Sequence, residues 1–188
     1  MVCGPRKEGS IRPAATWEQI KRPDSREMVL MDNNVLACGH GLEQIARMGR
    51  EEVWVDFNQG LDARLVTPDT AALLAKLKWI RNVRLSCDTS AMVPVIQQAT
   101  AYLREAGVAP SRFWSYVLVQ DVEDAHKRVL ALESMGIDVF AQPYRDYDGG
   151  EPTEEQKAFA RWVNVKSVHY SCTWENYADV HHKKSTKK

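Results

Sequence analysis

The sequence predicts an α/β fold of parallel strands, and three observations carry that prediction. Short apolar runs return at intervals of roughly 25 to 30 residues, the span of one β-α-β unit. Stretches with helical spacing lie between them. Three of those stretches stop at a glycine (Gly49, Gly107 and Gly136) just before the next run or turn, where a left-handed residue can end a helix. Such alternation implies right-handed crossovers and a sheet with its helices packed outside. An open sheet and a full or partial β/α barrel both satisfy it. The five clear strands are too few for a closed eight-stranded barrel.

The elements follow in order. Residues 1–27 are polar, carry Pro5, Pro13 and Pro23, and offer one short helix, Thr16–Lys21. Met28–Met31 is the first buried-strand candidate, and a helix is expected over Leu42–Met48. Val53–Phe57 is the second strand. Thr67 then caps a helix with Pro68 in its first position, running through Leu77. Val83–Cys87 precedes a helix from about Met92 to Glu105, and Phe113–Val119 is the fourth strand. The helix Val122–Met135 sets Val122, Ala125, Val129 and Leu132 on one stripe, and Ile137–Gln142 is the fifth strand. Beyond Gly149-Gly150, Thr153 and Gln156 form a capping box for a helix over Thr153–Val163. A short run, Ser167–Tyr170, follows. Domain boundaries are expected near residues 27, 147 and 178, with a β/α core over 28–147, a helical extension over 148–178 and a frayed basic tail over 179–188.

Composition excludes several classes. The 188 residues hold 25 Lys+Arg and 25 Asp+Glu, a formal net charge of zero. A dedicated nucleic-acid or acidic-membrane binder is usually basic over a whole face, so neither is expected. Six Trp, six Tyr and four Phe argue against disorder. No apolar run approaches the ~20 residues of a membrane helix, and the polar first nine residues have no signal-peptide core. Cys3, Cys38, Cys87 and Cys172 form no CxxC pair and read as free thiols, so cytoplasm is the expected location.

In parallel α/β folds ligands bind beyond the carboxyl ends of the strands, so the polar groups placed there are the informative ones. They are Asp32, Asn33 and Asn34, then Asn58, Gln59 and Gly60 with Asp56, Asp62 and Arg64 nearby. Asp88, Thr89 and Ser90 come next, then Gln120 and Asp121, then Tyr144, Arg145 and Asp146. Each has a plain structural reading. Asp121 and Ser90 can cap the helices after them, Asn33 and Asn34 can shape a turn, Gly60 can take a positive φ, and Arg64 can form a surface ion pair. Function is favoured at Asp32-Asn33-Asn34 and Asn58-Gln59-Gly60, where polar groups crowd behind a buried strand. Walker, GxGxxG, HExxH and GxSxG patterns are absent, and Cys38-Gly39-His40 is an isolated pair.

These residues resemble the radical SAM superfamily, and more closely an uncharacterised bacterial and phage-associated subgroup of it. The resemblance lies in Pro5–Gly9, Met28–Ala37, Val55–Leu65, Val83–Ser90, Tyr116–Val119, Gln142–Asp146 and Phe159–Asn164. It implies a partial (β/α)6 barrel that holds a [4Fe–4S] cluster and S-adenosylmethionine for radical chemistry, fed by an electron donor, on a substrate the sequence does not disclose. Carried over by position, Asp32, Asn33 and Asn34 face the cofactor's amino group. Asn58, Gln59 and Arg64 fall on the next strand region, where an arginine pairs with the cofactor carboxylate. Asp88 and Ser90 take ribose or carboxylate contacts, Gln120 borders the adenine region, and Tyr144 lies on the last strand.

One departure is large. The cluster motif CxxxCxxC is absent from these residues, and so is the strand that should precede it. Cys3 stands where the last thiolate of that triplet, or a residue just after it, would lie, and one thiolate does not hold a four-iron cluster. The resemblance therefore implies a barrel that looks N-terminally truncated, lacking its first strand, with residues 1–27 as the remnant of the cluster loop and linker; a fragment, an internally started reading frame and a degenerate relative all satisfy it. Catalysis is not expected of the chain alone. Two further readings stand beside it. One is a non-catalytic α/β binding or scaffold domain on the same fold. The other is an unrelated enzyme using Asp32, Asp56 and Asp88, with or without a divalent metal.

Overall fold

A computed structural model describes residues 15–31, 34–146 and 148–185, with side chains through Asp179. The chain is α/β. Its elements are α1 (Trp17–Ile20), β1 (Glu27–Leu30), α2 (Gly39–Arg50), β2 (Trp54–Phe57), α3 (Pro68–Leu74), β3 (Lys78–Trp79) and β4 (Val83–Cys87). There follow α4 (Met92–Glu105), β5 (Phe113–Val119), α5 (Val122–Ser134), β6 (Asp138–Pro143), α6 (Glu154–Asn164), α7 (Lys166–His169) and α8 (Trp174–Ser185). The strands form two parallel three-stranded sheets, β1-β2-β3 and β4-β5-β6. Two compact units divide the chain. The first comprises residues 1–86 and 94–114, the second residues 87–93 and 115–188.

In the first unit β1 and β2 run in register, with Met28 opposite Val55 and Val29 opposite Asp56. Side chains alternate across a strand, so Met28, Val55 and Phe57 share one face and are buried there. Ile45 and Met48 of α2, Ala71 and Leu74 of α3, and Ile96 and Leu103 of α4 complete the unit's apolar interior. Phe57 meets Trp79 edge to face at 5.8 Å. The start of α3 is the expected cap. Thr67 Oγ1 accepts from the Thr70 amide at 3.3 Å, and Thr70 Oγ1 accepts from the Thr67 amide at 2.8 Å. Past β2, Leu61 forms a parallel bridge with Leu85 of β4.

Two local expectations change here. The chain at Gly49 stays helical. The Glu51 amide still donates to the Arg47 and Met48 carbonyls, and the left-handed residue is Glu52, at φ 54°. Gly49 serves close approach instead, since a Cβ there would lie 3.3 Å from Lys76 Cβ. The two-residue β3, which pairs with Trp54 and Val55, was not expected at all.

In the second unit Val117, Val119, Val139 and Ala141 are buried with Ala125, Val129 and Leu132 of α5 and Phe159 and Val163 of α6. The outer edge of β6 is closed by side chains. Asn164 Oδ1 accepts from the Ala141 amide and its Nδ2 donates to the Ala141 carbonyl, both at 2.8 Å, while Lys166 Nζ donates to the Val139 carbonyl at 3.2 Å. An aromatic cluster fixes the C-terminal helices. Trp174 stands edge-on to Phe159 at 5.1 Å, and Trp162 lies 5.5 Å from His126 and 4.3 Å from His169. With Trp174 anchored, the helix α8 continues through Ser185, so the residues expected as a frayed tail from 179 are helical as far as they are described. Burial holds the His126 imidazolium below its usual range, with the His169 side chain acting in the same direction. Ser167–Tyr170 falls on α7 and the turn after it.

Candidate functional site

The loops after β1 and β2 bring Asn34, Asp62 and Arg64 into one hydrogen-bonded chain in the first unit. Asn34 Nδ2 donates to Asp62 Oδ2 at 3.3 Å. Asp62 Oδ1 accepts from the Arg64 amide at 3.1 Å and from Arg64 Nε at 2.8 Å, and its Oδ2 accepts from Arg64 Nη2 at 2.8 Å. This two-point contact is the strong form of an arginine–carboxylate pair. It holds the Asp62 carboxyl below the usual carboxylate range, chiefly through the Arg64 hydrogen bond. The Asp62 side chain is 12% exposed and that of Arg64 68%, so the carboxylate orients a guanidinium that faces solvent. Beside it Asn58 Nδ2 donates to Met31 Sδ at 3.4 Å, and Gln59 Nε2 lies 3.9 Å from the same sulfur.

Two glycines set these loops. Gly60 sits at φ 87°, and the amide after it, that of Leu61, donates to the Arg84 carbonyl at 2.7 Å. Gly41, in the first turn of α2, packs so closely on the 3-10 turn Val35–Ala37 that a Cβ there would fall on the Val35 carbonyl oxygen. The turn that carries Asn34 is therefore pinned by a residue without a side chain. An open recess of about 420 Å³ borders Arg64, lined by Ala63, Val66 and the α4 residues Pro94, Val95, Gln98, Ala99 and Tyr102.

Asp56 and Arg84 were not singled out together by the sequence, yet they form a buried ion pair between β2 and β4, with Arg84 over the Trp114 ring at 5.5 Å. The available signal was one acid and one base, each inside an apolar strand. Asp56 therefore answers Arg84, and among the described residues it stands in no metal-holding group of acidic side chains. Among the described residues no three His, Cys, Asp or Glu side chains gather to hold a metal ion.

In the second unit the predicted residues are engaged separately. Asp88 is exposed. The Ser90 hydroxyl donates to the Asp124 carboxylate, and that bond, with Arg128, draws the Asp124 carboxyl below its usual range. Asp121 caps α5, its Oδ1 accepting from the Asp124 amide at 2.7 Å. Gln120 contributes its carbonyl, which accepts from Gln156 Nε2 at 2.8 Å, and the Tyr144 amide donates to the Val119 carbonyl at 3.0 Å. Arg128, 1% exposed, donates from Nε to Asp124 at 2.8 Å, from Nη1 to the Cys87 carbonyl and from Nη2 to the Leu118 carbonyl at 2.8 Å.

Asp32, Asn33 and Cys3 lie outside the described residues. Of the described cysteines, Cys87 is buried and its thiol is pushed up to about 11, mainly by burial, while Cys38 and Cys172 are half-buried. Cys87 is thus a neutral thiol near neutral pH in the metal-free chain, and these three cysteines are not gathered into one group that could hold a cluster. No helix among the described residues is long and apolar enough to cross a membrane. Comparison with protein-family models, with curated proteins and with solved structures finds no match.

Proposed function

We propose that this chain is the cofactor-binding β/α core of a radical SAM-type partial barrel, and that it binds S-adenosylmethionine without turning it over on its own. The observation that supports this most is the Asn34–Asp62–Arg64 chain beyond the carboxyl ends of parallel strands, where such folds place their ligands. In this reading Arg64, oriented by Asp62, meets the cofactor carboxylate. Asn34 and Asn58 offer amide oxygens and N–H groups to its amino and ribose groups. The recess beside Arg64 is of the size that small-molecule sites have. A bound four-iron cluster would supply the electron that cleaves the cofactor, but the described cysteines do not fit it. The proposed function therefore stops at binding.

Titration calorimetry with S-adenosylmethionine and S-adenosylhomocysteine tests this. Saturable 1:1 binding is expected, weakened about 10-fold or more by Arg64→Ala. No heat with either compound up to about 1 mM removes the cofactor reading. Anaerobic reconstitution with iron and sulfide belongs to the same experiment, and tight uptake of about four irons per chain with cofactor cleavage would overturn the non-catalytic half of the proposal.

A further inference from the structure

The first unit carries, on its exposed sheet face, a buried ion pair with hydrogen-bonding capacity to spare. The register sets Val29 beside Asp56 and Glu27 beside Trp54, on the face opposite Met28, Val55 and Phe57. Val29, Met31 and Trp54 are 60%, 58% and 41% exposed. Beside them the Asp56 and Arg84 side chains are only 4% and 8% exposed. A guanidinium has five N–H donors and a carboxylate about four acceptor positions. The pair uses Nη1 and Oδ1. Among the described residues Arg84 Nε and Nη2 and Asp56 Oδ2 have no hydrogen-bond partner, and none of these three atoms is sealed from solvent.

The charge balance decides what fits there. Asp56 and Arg84 sum to zero, so an added anion or cation would leave an uncompensated charge at a desolvated position. A neutral group with an acceptor beside a donor leaves the sum at zero and satisfies atoms on both residues. Such a group is an amide edge, and a flat ring behind it can lie against the Trp54, Val29 and Met31 side chains. We propose that this face binds a planar, uncharged ligand through an amide edge, its carbonyl oxygen accepting from Arg84 and its N–H donating to Asp56. Cyclic amides of the nucleobase kind and aromatic carboxamides share that chemistry. The proposal does not rest on the cofactor reading, since neither Asp56 nor Arg84 belongs to the residues assigned there.

Three probes of one shape test it on the full chain: benzamide (neutral), benzoate (anionic) and benzamidine (cationic), with cytosine as the cyclic amide. The readout is the indole N–H resonances of the six tryptophans, with Trp54 and Trp114 assigned from their Phe variants. Titration with benzamide or cytosine is expected to shift Trp54 and Trp114, and both charged isosteres to bind about 10-fold or more weakly. Cytosine binding tighter than benzamide points to a nucleobase-like ligand, and the reverse to a carboxamide; both support the site. The Asp56→Leu/Arg84→Met double variant keeps an apolar filling of similar volume, and is expected to stay folded and lose the response. Tightest binding of benzoate or benzamidine overturns the proposal. So does an unshifted Trp54 and Trp114 at about 10 mM of both neutral probes, which is read on the unmodified protein and so stands even if the double variant fails to fold.

Discussion

Arg128 holds together the strand ends of the second unit. Its three donors serve the Asp124 carboxylate and the carbonyls of Cys87 and Leu118. Replacing it with Met keeps the buried stem but leaves two carbonyls without their donor. A loss of about 3 kcal/mol is expected, measured as a lower urea midpoint at unchanged slope. A loss under about 1 kcal/mol would mean that water serves those carbonyls equally well. His126 gives a second residue-scale expectation. Its folded pKa is depressed by burial, so its contribution to stability is fully present above the ordinary value of 6.5 and is lost as pH falls through the folded value. Wild type should therefore lose more stability than His126→Gln between about pH 7.5 and pH 5. Parallel pH profiles for the two proteins would show that the ring titrates as it does in the unfolded chain. Neither role was legible in the sequence. Asp124 and Arg128 are four apart, which reads as an exposed helix pair, and only packing shows Arg128 buried inside the Val122–Leu132 stripe.

At the scale of elements, what local chemistry dictates was readable. Val83–Cys87, Met92–Glu105 and Phe113–Val119 coincide with β4, α4 and β5, because each is an apolar run or a helical stripe with polar ends. The caps at Thr67 and Thr153 were readable for the same reason. Gln156 Oε1 accepts from the Thr153 amide at 2.8 Å, and Thr153 Oγ1 accepts from the Gln156 amide at 3.2 Å. Thr153→Ala is expected to cost about 1 kcal/mol, read from thermal unfolding, with Thr153→Ser close to wild type. Equal losses in both variants would place the effect outside the cap. What escaped depends on contacts distant in sequence. The strand β3 has two residues and exists through its pairing with β2, and α8 is held by Trp174 against Phe159 while its last turn is a His/Lys run. The polar residues after β1 and β2 were legible because parallel topology fixes where strand ends point. The Asp56–Arg84 pair was not, since no local pattern tells which two charges in separate strands will meet.

For the molecule as a whole, the alternation of strand and helix predicted α/β correctly. Two compact units are what the fold contains. The rim residues divide with them: Asn34, Asn58, Gln59 and Arg64 belong to the first unit, and Asp88, Ser90, Gln120 and Tyr144 to the second. Sequence order and unit membership also disagree, and this bears on how the protein is made. The first unit takes residues 1–86 but needs 94–114 as well, which bring Ile96 and Leu103 of α4 to its interior. A chain leaving the ribosome thus lacks the part of that interior which Ile96 and Leu103 complete until α4 has been synthesised. By the time residue 114 emerges, the first piece of the second unit, residues 87–93, is already out. Neither half can be finished and set aside before the other is begun, so a cut after residue 86 separates α4 from the apolar interior it helps to form.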